Sequence, residues 1–187
     1  MKAVIEKILE HKRTLVSLNN EYFLSELNRV CKVATKTIKN KRKIIFCGNG
    51  GSASDSNHLS AELVGMFKRK RKALNSISLV ANTSTITAIA NDYGFEYVFA
   101  RQLEAIGKKG DLLICISTSG KSKNILKVLD VAKKMKVITC LLSSKKVKKL
   151  TIRTNYKLLI PSNSTDIIQE MHILVGHIIC DHIEKNI

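Results

Sequence analysis

Two pairs of side chains have the types and spacing that proton transfer or metal binding requires. His58 and Glu62 stand four residues apart in a segment of helical character, 54–67. Residues i and i+4 share a helix face, so imidazole and carboxylate project side by side. Such a pair can ligate a metal or relay protons. Taken alone it is more often a surface hydrogen bond or weak ion pair. The adjoining loop, Asn49-Gly50-Gly51-Ser52, shifts that balance, because it is Gly-rich and follows the hydrophobic run Lys43-Ile44-Ile45-Phe46-Cys47-Gly48. The second pair, Gln169 and His177, lies in a long helical pattern near the C-terminus. Eight residues separate them, about 12 Å along a helix and roughly 80° around it. Their ordinary reading is core polar groups satisfied by neighbours, and the spacing alone is weak evidence for a shared ion.

A hydroxyl-rich loop adds a different chemistry. Ser117-Thr118-Ser119-Gly120-Lys121-Ser122 follows the apolar run Asp111-Leu112-Leu113-Ile114-Cys115-Ile116 and precedes a helix. Strand–loop–helix units of this kind present free N–H groups and small hydroxyls at a helix N-terminus, which suits phosphate. Neither loop matches G-x-x-x-x-G-K-[ST] or G-x-G-x-x-G, so a nucleoside triphosphatase or dinucleotide enzyme has little support. A compact phosphate monoester fits better. Asn91-Asp92-Tyr93-Gly94-Phe95 reads as a turn, with Asp92 as cap and Gly94 left-handed, and Asp92 facing a sugar hydroxyl is the alternative.

The elements that must position these groups alternate along the chain. Residues 1–40 show helical periodicity, with a break at Asn19-Asn20. Strands are expected at 43–48, 76–80, 111–116, 137–142 and 156–160. Helices are expected at 54–67, 84–91, 96–107, 121–135 and 166–185. Near-continuous apolar strands alternating with helices imply a parallel sheet covered on both faces, a three-layer α/β sandwich with N-terminal helices. The two loops then meet at the carboxyl edge of the sheet. The last helix follows Ser164-Thr165-Asp166, good N-cap chemistry. Its apolar residues cover much of its circumference, which points to burial between subunits.

Composition bounds the rest. With 187 residues, 44% hydrophobic and a single proline, the chain suits one domain, residues 1–187, with a real core. It has no apolar run long enough to span a membrane, and its N-terminus lacks a secretory h-region, so a cytoplasmic location is expected. The five cysteines, Cys31, Cys47, Cys115, Cys140 and Cys180, show no metal-ligand spacing and read as buried reduced thiols. The formal charge of +17 concentrates at Lys68-Arg69-Lys70-Arg71-Lys72 and Lys145-Lys146-Val147-Lys148-Lys149. Such runs can bind polyanions. Aromatics at 5% and the lack of a nucleic-acid motif argue against specific nucleic-acid binding.

Taken in order, Cys47-Gly48-Asn49-Gly50-Gly51-Ser52, His58-x-x-x-Glu62-Leu63, Asn91-Asp92-Tyr93-Gly94-Phe95, Ile116-Ser117-Thr118-Ser119-Gly120-Lys121-Ser122 and Asp166-x-x-Gln169-Glu170-x-His172-x-x-x-x-His177 resemble the bacterial phosphoheptose isomerases of the sugar isomerase (SIS) superfamily. The resemblance covers nearly the whole chain and is weakest before residue 40 and over 143–156. It implies one SIS domain with a five-stranded parallel, flavodoxin-like sheet and residues 1–40 as a helical extension. It implies an aldose–ketose isomerase acting on sedoheptulose 7-phosphate, serving lipopolysaccharide or capsule heptose. Glu62 and His177 would be its catalytic acid/base pair. His58, Glu62, Gln169 and His177 would hold Zn2+, one per subunit. Zinc ligation and proton shuttling by the same Glu62 are in tension, since a ligated carboxylate is a poorer base. Ser117, Thr118, Ser119 and Ser122 would cradle the phosphate. Asn49, Gly50, Gly51, Ser52, Asn91, Asp92, Asp166 and Gln169 would line the sugar site. The resemblance also implies a homotetramer with sites between subunits.

Three departures stand out. Met66 and Ile167 occupy positions that are usually arginine in the family, and the lysine-rich 143–149 replaces a Gly-rich segment. Lys68 or Arg69 is the candidate replacement for the cation missing at Met66. The alternatives are a non-catalytic SIS protein binding a replication-initiator-type partner, or an isomerase of a related phosphosugar.

Overall fold

The computed structural model describes residues 1–145, 147 and 154–187. Of the second basic run, Lys146, Lys148 and Lys149 lie outside the described residues. The chain opens with α1 (Lys2–Leu18) and α2 (Glu21–Lys39). The break at Asn19-Asn20 has a local cause. The Asn20 side chain accepts a hydrogen bond from the Phe23 N–H at 3.0 Å and caps α2, satisfying one of the donors that a helix start leaves free. There follow β1 (Ile44–Gly48), α3 (Gly51–Val64), β2 (Ser76–Ser78), α4 (Thr83–Tyr93), a 3-10 turn (Phe95–Tyr97) and α5 (Ala100–Ile106). The remainder is β3 (Leu112–Ile116), α6 (Lys123–Lys134), β4 (Ile138–Ser144), β5 (Tyr156–Ile160) and α7 (Thr165–Lys185).

All five strands pair in parallel, in the order β2-β1-β3-β4-β5. Side chains alternate between the faces of a strand, and both faces here are apolar. Ile44, Phe46, Leu112, Ile114 and Leu142 face α2, α3 and α7. Ile45, Cys47, Leu113, Cys115 and Leu141 face α5 and α6. The expected three-layer sandwich is therefore the observed one. The entrances of β1 and β3 are tied by buried Asp111, which accepts from Lys43 Nζ at 2.8 Å and from the Lys43 N–H at 3.0 Å. All five cysteines are free and buried. Among the described residues no helix is long and apolar enough to cross a membrane.

Several boundaries differ from expectation for local reasons. The helix expected at 54–67 runs from Gly51 to Val64. Gly50, at φ +56°, turns the chain so that the helix starts within the Gly-rich loop itself, a conformation that favours glycine. The segment expected as one helix at 96–107 divides into the 3-10 turn and α5. The expected strand 76–80 is ordered as a strand only over three residues. The apolar circumference of α7 is used largely within the chain, against α2, α3 and the sheet: Ile167, Ile168, Val175, Ile179 and Ile183 are all buried.

Candidate active site

The sheet order reverses between β1 and β3, and open parallel sheets bind ligands at the carboxyl ends of the strands flanking such a reversal. The two loops predicted to bind phosphate and sugar emerge there. A reciprocal amide pair joins them. Asn49 Nδ2 donates to Asn124 Oδ1 at 2.9 Å, and Asn124 Nδ2 donates to Asn49 Oδ1 at 2.8 Å. Asn124, buried in the first turn of α6, is a site residue that sequence reasoning missed. Its only local signal is a polar residue two positions beyond Ser122.

The second loop is organised by its own hydroxyls. Ser117 Oγ accepts from the Gly120 N–H at 3.1 Å, and Ser119 Oγ accepts from the Lys121 N–H at 3.2 Å. The Thr118 carbonyl accepts from Ser144 Oγ at 2.9 Å. Ser122 is the N-cap residue of α6 and makes no side-chain capping bond. The positive end of that helix points into the loop, a setting that favours an anion. In the first loop Ser52 is buried. A Cβ on Gly51 would stand 2.5 Å from Gln169 Nε2. The absence of a side chain at Gly51 is thus what lets Gln169 of α7 lie on the start of α3.

The acid/base candidates converge two turns further along α3. His58 Nε2 lies 3.1 Å from Glu62 Oε1 and 3.1 Å from His177 Nε2. Ligand-type atoms of His58, Glu62 and His177 all fall within 4.8 Å of one another. The juxtaposition depends on close packing of α3 and α7. Gly176 faces Leu59, and a Cβ there would meet Leu59 Cδ1 at 2.5 Å. Each histidine is the immediate neighbour of one of these contact residues. The Phe67 ring stacks on His177, with centroids 5.4 Å apart and planes at 27°. Burial lowers the His177 pKa, His58 and Lys68 lower it further, and Glu62 opposes them. The imidazole is thereby kept neutral near pH 7, as a proton acceptor or metal ligand must be. Asp55, one turn before His58, has a buried carboxylate oxygen with no hydrogen-bond partner among the described residues. Burial raises its pKa to about 6, against the opposing effect of His58.

The other predicted residues are placed less centrally. Gln169 lies about two turns along α7 from His177, with its amide against Gly51. Asp166, in the first turn of α7, pairs with Lys7 Nζ at 2.6 Å. Hydrogen bonds from Lys7 and Ser164 hold its carboxyl well below the ordinary carboxylate range. Asn91 Nδ2 donates to Asp92 Oδ1 at 2.8 Å on an exposed turn of α4. Asp92 is thus a helix residue and not the cap expected of it, whereas Gly94 does have a positive φ, +98°. Among the described residues no hydrogen bond links Asn91 or Asp92 to the rest of the site.

Two cations of the first basic run pair within the chain. Lys68 pairs with Asp181 at 2.9 Å, and Arg71 is buried against Glu184 at 3.0 Å. These cations are engaged in holding the chain together. Met66 is exposed, and Lys68, one of the two candidate replacements for a cation there, has a largely exposed side chain that contacts Asp181.

Residues 10–144 match the model of the SIS domain family. A phosphoheptose isomerase of Helicobacter pylori strain P12 is 48% identical over 181 residues, covering 97% of this chain and 94% of its own. One from Nitratiruptor sp. is 43% identical over 188 residues, covering 100% of this chain and 99% of its own. Among solved structures, the phosphoheptose isomerase of Neisseria gonorrhoeae superposes with a TM-score of 0.91 at 34% identity, over 98% of each chain. That of Francisella tularensis gives 0.93 at 29% identity, over 98% of this chain and 97% of the other.

Proposed function

The chain belongs to the SIS-domain family and, within it, to the phosphoheptose isomerases, and from that premise we propose that it interconverts sedoheptulose 7-phosphate and D-glycero-D-manno-heptose 7-phosphate. The observation that carries the mechanism is the convergence of His58, Glu62 and His177. The reaction moves one proton from C1 to C2 and another from O1 to O2. Glu62, as carboxylate, takes the C1 proton of the open-chain ketose. The C–H electron pair becomes the C1–C2 double bond, and the carbonyl pair moves onto O2. The same carboxylic acid returns the proton to C2. Neutral His177 accepts the O1 proton and delivers it to O2. Groups held in place before the reaction spare the entropy of bringing them together.

The substrate's length fits two separated loci. Its phosphate lies at one end of a seven-carbon chain and its reacting carbons at the other. We assign the phosphate to Ser117, Thr118, Ser119 and Ser122, where the α6 N-terminus favours an anion. The hydroxyl groups between would meet Asn49, Gly50, Gly51, Ser52 and Gln169, with Asn91, Asp92 and Asp166 as further contacts.

Two imidazoles and a carboxylate with donor atoms this close suit Zn2+, which takes such ligands in tetrahedral sites with an open position in enzymes. His58, Glu62 and His177 would hold it, with Gln169 as the fourth ligand from α7; Glu62 would then have its second carboxylate oxygen, and His177 its other ring nitrogen, for the proton. When bound, zinc would polarise the oxygens on C1 and C2 and lower the cost of the negative charge developing there.

We also propose a homotetramer with sites completed by neighbouring copies. His58 is half exposed, and α1 presents Val4, Ile8 and Val16 to solvent, a stripe that self-association would cover. Residues 1–187 form one domain on this reading, because α2 shares its apolar cluster with the sheet. Five buried free thiols fit a cytoplasmic enzyme, supplying heptose for lipopolysaccharide or capsule.

The deciding experiment is incubation with sedoheptulose 7-phosphate, with and without zinc or chelator, beside Glu62→Gln. Heptose 7-phosphate formed by the wild type and not by the variant is the expected result. A folded wild type that binds the phosphosugar without turnover would refute the substrate assignment.

A further inference from the structure

The end of α3 is held by a guanidinium that belongs to no helix. Arg71 Nη2 donates to the Glu62 carbonyl at 2.7 Å. Its Nη1 donates to the carbonyls of Leu63 at 2.9 Å, Gly65 at 3.1 Å and Lys72 at 3.2 Å. A helix leaves its last carbonyls without intrahelical partners, and Arg71 supplies partners for two of them, one on Glu62 itself. The third nitrogen, Nε, donates to Glu184 Oε1 of α7 at 3.0 Å.

Glu184 is equally committed. It accepts from the N–H groups of Lys68 at 2.8 Å, Arg69 at 3.1 Å and Phe67 at 3.3 Å. Desolvation opposes its ionisation, but these N–H donors and Arg71 prevail and lower its pKa. Both partners of the ion pair are largely out of solvent, with 11% and 3% of their side chains exposed. The pair therefore joins three things: the last turn of α3, the loop 65–72, and α7 two turns beyond His177. The same loop carries Phe67, whose ring lies on the His177 imidazole.

We propose that Arg71 and Glu184 are positioning residues for the isomerase site, holding Glu62 and His177 at their working separation and Phe67 against His177. The proposal rests on the isomerase reading for its kinetic consequence and on geometry alone for its structural one. Lysine at position 71 keeps the charge but lacks the planar fork that reaches Glu184 and four separate carbonyls at once. A displacement of about 1 Å at a reacting group can cost on the order of 100-fold in rate. The phosphate loop, on the far side of the Gly51 end of α3, should be little affected.

The test uses the full-length protein with Arg71→Lys and Glu184→Gln, both milder than removal of either side chain. Three readouts are taken: steady-state kinetics, Co2+ titration of the metal-free protein followed by the visible spectrum, and hydrogen exchange. The expected result for Arg71→Lys is a fall in kcat on the order of 100-fold with KM changed less than about twofold. The Co2+ spectrum should change or its affinity weaken, and amides of 62–72 should exchange faster while the sheet remains protected. Unchanged kcat and Co2+ spectrum in a folded variant would overturn the proposal, even with faster exchange, because the pair would then be only structural. A wild type that lacks turnover refutes the isomerase reading instead, and the Co2+ spectrum then decides the positioning role. A wild type that also shows no Co2+ spectrum leaves nothing for the pair to position and overturns the proposal.

Discussion

Gly176→Ala is the substitution that most directly tests how the two helices set the site. A Cβ at position 176 would stand 2.5, 2.6 and 3.0 Å from three Leu59 side-chain carbons. Carbon atoms at optimal separation lie about 3.5–4.0 Å apart. Either Leu59 leaves its rotamer within a buried layer, or α3 and α7 part by about 1 Å. Forcing an extra carbon into a packed core costs about 1–3 kcal/mol. The chemical consequence should exceed the stability one, because His58 and His177 adjoin the two clashing residues and stand 3.1 Å apart. A rise of that size in their separation predicts a loss on the order of 100-fold in kcat. Urea unfolding and steady-state kinetics of the same preparation give both quantities. Leu59→Ala alone should cost about 2–5 kcal/mol through its cavity. The double variant should cost less than the sum, since the new methyl occupies the vacated space. Additive losses in the cycle, or Gly176→Ala with wild-type kcat, would refute the reasoning that this contact sets the site.

Other consequences are also measurable. Burial lowers the pKa of His172 to about 4, against its bond to the Ser143 carbonyl. The unfolded chain therefore binds the proton first as pH falls, and stability should drop by about 3 kcal/mol between pH 6.5 and 4; urea unfolding of His172→Asn should lack that component. Asp55, raised to about 6 chiefly by burial, gives the opposite sign, since the folded state holds its proton more tightly than the unfolded chain and loses stability as pH rises through that value. Asp55→Asn should raise Tm at pH 7.5, and its advantage over the wild type should close as pH falls from 6 towards 4; an advantage constant with pH would exclude ionisation as the cause. Asn124→Ala should strand Asn49 at a cost of about 1–3 kcal/mol and raise KM for the phosphosugar more than it lowers kcat; an unchanged KM would show that the amide pair does not set the loops.

Sequence alone was enough for the parallel α/β class, because apolar strands buried on both faces and helices with 3.6-residue periodicity are local patterns. It also located both loops, since glycine and small hydroxyls at a strand–helix junction announce their own backbone chemistry. His58 and Glu62 were legible as a pair because one helix turn joins them. His177 joining them, and Gln169 resting on Gly51, depended on how α3 packs on α7, through a glycine contact more than a hundred residues apart in sequence. Asn124 and the Arg71–Glu184 pair were invisible for the same reason. Arg71 sat within a run of cations that reads as a surface for polyanions, and only the fold brought a carboxylate 113 residues away within 3.0 Å of it. Local chemistry is written in short stretches of chain, whereas the distances that make it a site come from packing between elements that the sequence keeps far apart.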